Sequence, residues 1–521
     1  MEGNLAAALA RRADTYGWRD RPLFYAGDTT YTHGDVHDAA TRAAAVLHAA
    51  GVRPGHRVLI ALPDSAGFVA ALLGTFRLGA VAVLTGPEQS EDGHAHVLAD
   101  SRPQAAVCAP DLAVRFRSVH VLAAEDLTDE PVAVPDPVPV PPDAPAYVQY
   151  TSGTTGPPKG AVHRHSDPEA YFQALAIGAL GVTPDDVIFS LSKACYPYGL
   201  GATVFFPMFC GGSAVLWPEA PTVEGVLEQL RRHHPTLLFT VPTWYARLVR
   251  AHDAQEADRR RANGRKANGR TGDGRKGNGR AGDGRRGDQV FGSLRAVASA
   301  GEPLLPSLAD RIEDVFGCPV LDGLGSTEVG HTFISNTVTR RRRGAVGVVL
   351  DPYEIVVRGE GRPDEGPSEP GVLYVRGPSV MAEYLGRPER TAEVLAPDGW
   401  LRTGDLVHVD EDGFVHHHGR VRDQLTVSGE RVSPLEVERV LGRHPEVVEA
   451  VVVSADGDAA LRAFVVLATG TVASPELEAR LLAQVRERLP AHKVPGSVTF
   501  LSELPRTPMG KIHRVALRRS G

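Results

Sequence analysis

Lysine is the residue this chain nearly does without: of 56 lysines and arginines in 521 residues, six are lysine. Two of them, Lys266 and Lys276, sit in a low-complexity stretch, which leaves Lys159, Lys193, Lys493 and Lys511. Arginine is a broad planar fork, whereas lysine is a compact point charge on a thin stem. The four positions are therefore candidates for work that needs a small ammonium. Cysteine is also scarce. Cys108, Cys195, Cys210 and Cys318 are far apart, which excludes a disulfide framework and a paired-cysteine metal motif and fits a reducing cytoplasm. No run of about 18 apolar residues occurs, so no membrane span is expected. The opening "MEGNLAAALARRADTYG" has no basic region ahead of its apolar run and reads as an amphipathic helix, not a signal peptide. A net charge of −7 gives no overall attraction to nucleic acid.

What remains is an ordinary soluble composition, 42% hydrophobic and 23% charged, at a length that suggests two or more domains. Over the first 250 residues, apolar runs such as "HRVLIALP", "VAVLTG", "AAVCAP" and "TLLFTVP" alternate with helical patterns such as "AGFVAALLGTFRLG" and "TVEGVLEQLRRH". That alternation implies βαβ units and a parallel sheet. Before residue 419, "GVLYVRG" and "GWLRTGDLVHVDEDGFVHHHGR" alternate with period two and suggest an antiparallel sheet. The last hundred residues form a small α+β unit, opened by Ser433-Pro434-Leu435-Glu436, a capping-box pattern. The fold class is thus α/β, with a large N-terminal domain (1–419) of βαβ-type sheets, helices and an antiparallel sheet, and a small C-terminal domain (420–521). Residues 263–287 repeat Asn/Asp-Gly-Arg with no apolar side chain larger than alanine. They cannot bury a face and read as a disordered basic insertion after the helix "WYARLVRAH".

The stretch "YTSGTTGPPKG", Tyr150–Gly160, crowds three glycines, two prolines and a row of hydroxyls around Lys159. Such a loop offers backbone N–H and hydroxyl donors to anionic oxygens. It is not a P-loop: Pro158 stands where the second glycine of G-x-x-x-x-G-K-[ST] belongs, and Gly160 follows the lysine. "SAGEPL", "LDGLGSTEVGH", "GWLRTGDL", "GRVRDQLTVSGERVSPLEVE" and "LPRTPMGKIHR" follow it in that order. Together these six segments closely resemble the adenylate-forming superfamily of acyl-CoA synthetases, luciferases and adenylation domains. "KACYPYGLG", "VPTWYARL" and "GSTEVGHTFISN" look most like benzoate-CoA ligases and related aryl-acid ligases.

The resemblance implies that a carboxylate attacks the α-phosphorus of ATP, expelling pyrophosphate, and that a thiolate then attacks the acyl-adenylate. It implies ATP, Mg²⁺ and coenzyme A as cofactors and an aromatic carboxylic acid as substrate. Thr151, Ser152, Gly153, Thr154, Thr155 and Gly156 would hold the β- and γ-phosphates, with Lys159 over them. Ser326 and Thr327 would meet the α-phosphate, and Glu328 would bind Mg²⁺. Asp405 would accept from the ribose hydroxyls, supported by Arg420. Gly301, Glu302 and Pro303 would sandwich adenine with Asp322, Gly323, Leu324 and Gly325. Lys511 would reach from a mobile small domain to bridge the carboxylate and the phosphate, with the hinge at Arg422. Ser428, Gly429 and Glu430 would line the thiol channel after that domain rotates. Tyr196, Tyr198, Gly199, Ala202, Gly301, Leu324 and His331 would line the acid pocket, His331 meeting the carboxylate. Thr426 stands where many relatives carry a lysine.

Two other readings compete with a CoA ligase. The acyl group could go to the phosphopantetheine of a carrier protein supplied in trans. The basic repeat could instead attract nucleic acid, in which case deleting it would abolish the role and leave ligation untouched. A metal site among His416–His418 is disfavoured, because only His416 and His418 share a strand face. The cytoplasm is the expected compartment, and the sequence leaves open monomer or homodimer.

Overall fold

The computed structural model describes residues 3–128, 135–151, 157–268, 290–359, 370–427, 430–454, 460–468, 470–506 and 512–519. Among these, the large domain is built on two sheets. One has the strand order Glu383–Tyr384, Gly160–Arg164, Pro145–Tyr150, Val81–Leu84, Arg57–Ala61, Ala105–Cys108 and His120–Leu122. The other begins with Val348–Val349, Thr332–Ser335 and Val320–Gly325, continues through Ala296–Ser299, Leu237–Thr240 and Val187–Ser190, and ends at Ser213–Val215, Pro22–Ala26 and Thr29–Thr32. Their central strands run parallel, as in Leu237↔Ala296 and Arg57↔Val81. Those strands are buried on both faces, which is why they read as unbroken apolar runs and not as alternation.

Alternation appears where a third, antiparallel sheet forms from Glu354–Arg358, Gly371–Arg376, Leu401–Val409 and Val415–Arg420. Its last strand leads through the short turn Val421–Asp423 into the small lobe. There Val447–Ser454, Leu461–Leu467 and Ser497–Leu501 make a sheet whose last pair is parallel. Pro434–Leu441 and Pro475–Arg486 close that lobe over a core that includes Val437, Leu441, Val452, Val465, Leu481 and Val485. The observed α/β body with a smaller α+β lobe is the expected class.

Two local expectations need correction. The helix begun by "WYARLVRAH" runs Pro242–Asn268 and so continues into the first residues of the basic repeat. Once a helix is nucleated, each further residue fixed is matched by one more hydrogen bond, and Arg265, Lys266 and Ala267 are good helix formers that offset Gly264 beside them. The remainder of the repeat lies outside the described residues. Secondly, Ser433 does not cap its helix. Its hydroxyl donates to the carbonyl of His418 at 2.6 Å, and Glu436 takes Lys493 Nζ at 2.6 Å. Both partners of the expected box are engaged elsewhere, Ser433 tying the small lobe to the last strand of the antiparallel sheet.

Candidate active site

A cavity of about 1120 Å³ opens where the strand ends of the large domain meet the small lobe. Its wall gathers Thr151, Lys159, Tyr196, Tyr198, Gly301–Leu304, Asp322–Glu328, His331, Asp405, Arg420 and Arg422, with Arg439, Arg506, Ile512 and Arg514 contributed by the small lobe. Most of the expected site residues therefore converge, from positions as far apart in the chain as Thr151 and Arg422. Ser152–Gly156, Ser428, Gly429 and Lys511 lie outside the described residues. Glu430 is exposed and is not among the lining residues.

The glycine-rich loop is pinched at its neck: Thr151 N–H donates to the Lys159 carbonyl at 2.9 Å, and Lys159 N–H to Thr151 Oγ1 at 3.4 Å. Lys159 Nζ lies 4.3 Å from the ring centre of Tyr384. The hydroxyl of the same tyrosine donates to Glu328 Oε1 at 2.7 Å. Tyr384 thus joins the loop ammonium to the carboxylate expected at the metal, a link that no local motif signalled.

The Ser326–Gly330 turn is held from behind. His163 Nε2 sits 2.8 Å from the Thr327 carbonyl and His163 Nδ1 sits 3.1 Å from Asp167, both side chains being fully buried. Met381 N–H donates to the Glu328 carbonyl at 2.7 Å, and Ser379 Oγ to that of Val329 at 2.6 Å. Three successive carbonyls are satisfied by the scaffold, so the Thr327 and Glu328 side chains stand on a fixed backbone.

Asp405 is almost completely buried. Burial works to raise its pKa, but the Arg420 guanidinium (3.1 Å) and His417 (3.2 Å) outweigh it and hold the group down at about 2. It is an anion ready to accept hydrogen bonds. His417 was not anticipated: it uses the face opposite its neighbours, while His418 Nε2 approaches His408 Nδ1 at 2.6 Å and His416 pairs with Asp410 at 2.8 Å. Among the described residues no three His, Cys, Asp or Glu side chains form a metal cage.

The acid pocket is partly redrawn. Tyr196, Tyr198, Leu324, Gly301 and His331 line the cavity, whereas Gly199 and Ala202 do not. Ala202 is core, and a side chain on Gly199 would meet the Ser192 and Lys193 carbonyls at 2.2 Å. His331 cannot offer a proton to a carboxylate. Its Nδ1 accepts from Thr332 N–H at 2.8 Å, which leaves Nε2 to face the Tyr198 carbonyl at 3.2 Å, and burial lowers its pKa to about 3. It serves as a neutral aromatic wall, fitted closely because Gly201 has no Cβ; one there would lie 2.4 Å from the ring. The hydroxyls of Tyr198 and Thr240 are buried without a partner, and both residues line the cavity. Asp322 is half-buried, and desolvation raises its carboxyl to about 8 despite Arg439 nearby. Lys193 is used structurally: its ammonium donates to the carbonyls of Trp217 (2.5 Å) and Glu219 (2.8 Å). Gly301, with φ of +86°, occupies the left-handed region at the adenine motif.

Residues 9–385 match the family described as AMP-binding enzyme, and residues 436–511 match the AMP-binding enzyme C-terminal domain. The chain is similar to the p-hydroxybenzoic acid–AMP ligase FadD22 of Mycobacterium tuberculosis, 39% identical over 99% of this chain and 69% of that protein. It is also similar to the 4-hydroxybenzoate–CoA/benzoate–CoA ligase of Rhodopseudomonas palustris, 32% identical over 99% of this chain and 94% of that one. Among solved structures, the benzoate CoA ligase from Burkholderia xenovorans LB400 superposes with a TM-score of 0.84 at 30% identity, covering 99% of this chain and all of that one. The anthranilate CoA ligase AuaEII in complex with anthranoyl-AMP gives 0.87 at 27% identity, covering 99% and 97%.

Proposed function

Since this chain belongs to the AMP-binding enzyme family and is an AMP-forming acid–thiol ligase, we propose that its acid is a ring-hydroxylated benzoic acid and its acceptor the thiol of coenzyme A. The observation that supports the first part is the pair of buried, unpartnered hydroxyls, Tyr198 and Thr240, which share the cavity wall with Tyr196, Leu324 and the neutral ring of His331. An unpaired buried hydroxyl costs about 1–3 kcal/mol. A phenolic substrate would satisfy it, and a purely apolar chain would not. The names of the relatives, p-hydroxybenzoic acid–AMP ligase and 4-hydroxybenzoate–CoA/benzoate–CoA ligase, support the same class.

In this reading an oxygen of the substrate carboxylate forms a bond to the α-phosphorus of ATP as the bond to pyrophosphate breaks. Such transfer depends on placement and charge neutralisation. Thr151 and the glycine-rich loop with Lys159 hold the β- and γ-phosphates, Ser326 and Thr327 the α-phosphate, and Asp405 with Arg420 the ribose. Lys511, carried by the small lobe, neutralises charge between carboxylate and phosphate. Glu328 fits Mg²⁺, an ion that takes few carboxylates and completes its shell with phosphates and water; when bound, it would offset the negative charge of the phosphates. Tyr384 orients that carboxylate. After the lobe turns about Arg422, taken with the 419/420 boundary as the hinge region, Ser428, Gly429 and Glu430 line the path of a thiolate. The thiolate attacks the acyl carbon and releases AMP.

A carrier-bound phosphopantetheine is the second reading of the acceptor, favoured by the relative named an AMP ligase, which is longer than this chain. Pyrophosphate release with benzoate, 3- and 4-hydroxybenzoate, bicyclic aryl acids and a medium-chain fatty acid tests the acid. A preference for the fatty acid overturns the assignment. Comparing CoA with a phosphopantetheinylated carrier protein tests the acceptor.

A further inference from the structure

A buried chain of alternating charge joins the two lobes beside the adenine motif. Arg506 Nη1, from the small lobe, donates to Thr243 Oγ1 at 2.5 Å and lies 3.8 Å from Glu302 Oε1. Thr243 in turn donates to Glu302 Oε2 through Oγ1 (2.5 Å) and its N–H (3.2 Å). The other arm of Arg506 pairs with Glu449. Glu449 Oε2 faces Arg250 of the large domain at 3.6 Å, and Arg250 also reaches the Ser502 carbonyl at 3.4 Å. Side-chain exposure is 10% for Arg506 and 9% for Glu302 and Glu449. The order Arg250, Glu449, Arg506, Glu302 therefore crosses the lobe boundary twice with no two like charges adjacent.

The ends of this chain carry its meaning. Glu302 directly follows Gly301, the left-handed glycine of the adenine motif. The backbone of Arg506 bridges to Ile512, and His513 N–H donates to the Pro505 carbonyl at 2.8 Å. These pairings close the base of the segment that ends in Lys511. A side chain that fixes that base against the nucleotide wall fixes where the lysine starts from.

We propose that Arg506 is a positioning residue for the first half-reaction, docking the neck of the Lys511 segment on Glu302 and Thr243 so that the lobe is held in its adenylating orientation. This rests on the reading that Lys511 serves adenylation. When the lobe turns for thiol attack, the contacts of Arg506 with Glu302 and Thr243 and of Arg250 with Glu449 and Ser502 separate, so they contribute nothing to the second step. Truncating one partner of a buried, hydrogen-bonded charge pair leaves the other uncompensated, which is where the loss comes from.

The full-length chain tests this with two single-turnover assays: pyrophosphate release from ATP and 4-hydroxybenzoate, and thioester formation from supplied 4-hydroxybenzoyl-adenylate with pantetheine 4′-phosphate. Arg506→Ala should slow the first by about 10- to 100-fold and change the second by less than about threefold. Arg506→Lys, which keeps one cation but not the fork, should recover part of the loss. Thr243→Val, which removes only the hydroxyl, should slow the first step selectively by about threefold to tenfold and serves if Arg506→Ala does not fold. Equal losses in both steps, or adenylation within threefold of wild type in the folded variants, overturn the proposal. Lys511→Ala runs alongside. If it spares adenylation, the underlying reading has failed; if it abolishes adenylation while Arg506→Ala does not, only the latch has failed.

Discussion

Replacing Tyr384 by phenylalanine would separate the two things this ring does. The phenol donates to Glu328 Oε1 at 2.7 Å, and the ring face holds Lys159 Nζ at 4.3 Å. Phenylalanine keeps the ring and deletes only the hydrogen bond. A hydrogen bond to a charged group contributes about 1.5–3 kcal/mol, whereas a partly exposed cation–π contact gives about 0.5–1. If the carboxylate is needed in one orientation only when the phosphates become most charged, the loss falls on the transition state. Tyr384→Phe should then lower kcat/KM for pyrophosphate release by about 10- to 150-fold, at 1.36 kcal/mol per factor of ten. Tyr384→Leu should lose about two- to fivefold more, the share of the ammonium contact. Titrating Mg²⁺ in the same assay should show a higher half-saturating concentration for Tyr384→Phe, because a swinging carboxylate is a poorer ligand. A variant within threefold of wild type at every Mg²⁺ concentration would refute the idea that Tyr384 orients Glu328.

The remaining expectations can be checked together. Lys511→Ala should reduce acyl-adenylate formation by about two to three orders of magnitude while largely sparing thiol attack on supplied adenylate, read by single-turnover kinetics. Tyr198→Phe should lower kcat/KM for 4-hydroxybenzoate by about tenfold and leave benzoate nearly unchanged; equal effects on both acids would show that the hydroxyl does not read the ring substituent. Asp322, raised by burial to about 8, binds a proton in the folded protein that the unfolded chain releases near its ordinary carboxyl value. Folding stability carried by this group is therefore fully present in acid and is lost as pH rises from about 4 toward 8. Asp322→Asn should be the more stable protein at pH 8, by an amount on the order of a few kcal/mol, with the advantage shrinking toward pH 5 in thermal melts. A pH-independent difference would mean that the carboxyl does not titrate in this window.

The parts of the site that were legible in the sequence are those whose chemistry is local. A loop of glycines and hydroxyls around Lys159, and a Thr-Gly-Asp that places Asp405 in a strand beside Arg420, announce themselves within a few residues. The alternation that marks the antiparallel sheet likewise needs only a short window. The contacts that were missed join side chains far apart in the chain: Tyr384 with Lys159 and Glu328, His417 with Asp405 across a strand pair, and Arg506 with Thr243 and Glu302 across the lobes. Where local rules were applied too literally they failed for a tertiary reason, as when the Ser433 hydroxyl bonded the His418 carbonyl in place of its own helix. His331 shows the same thing at a functional position. Its identity suggested a carboxylate partner, but the close approach allowed by Gly201 and the backbone of Thr332 and Tyr198 occupy its polar edges.

The scarcity of lysine can now be given a physical sense that composition alone could not supply. Lys159 lies flat against an aromatic face, Lys193 gathers two carbonyls of one loop, and Lys493 meets a single carboxylate oxygen of Glu436. Each is a task for a narrow point charge, whereas the arginines at 295, 342 and 506 each engage more than one partner through a planar fork. On that division Lys159→Arg should be more damaging than its conserved charge suggests, because a guanidinium stacked on Tyr384 would spread into the space above Glu328. Pyrophosphate release should fall by about tenfold or more with little change in melting temperature. Activity retained by Lys159→Arg would show that charge, and not the slim shape of the ammonium, is what this chain keeps lysine for.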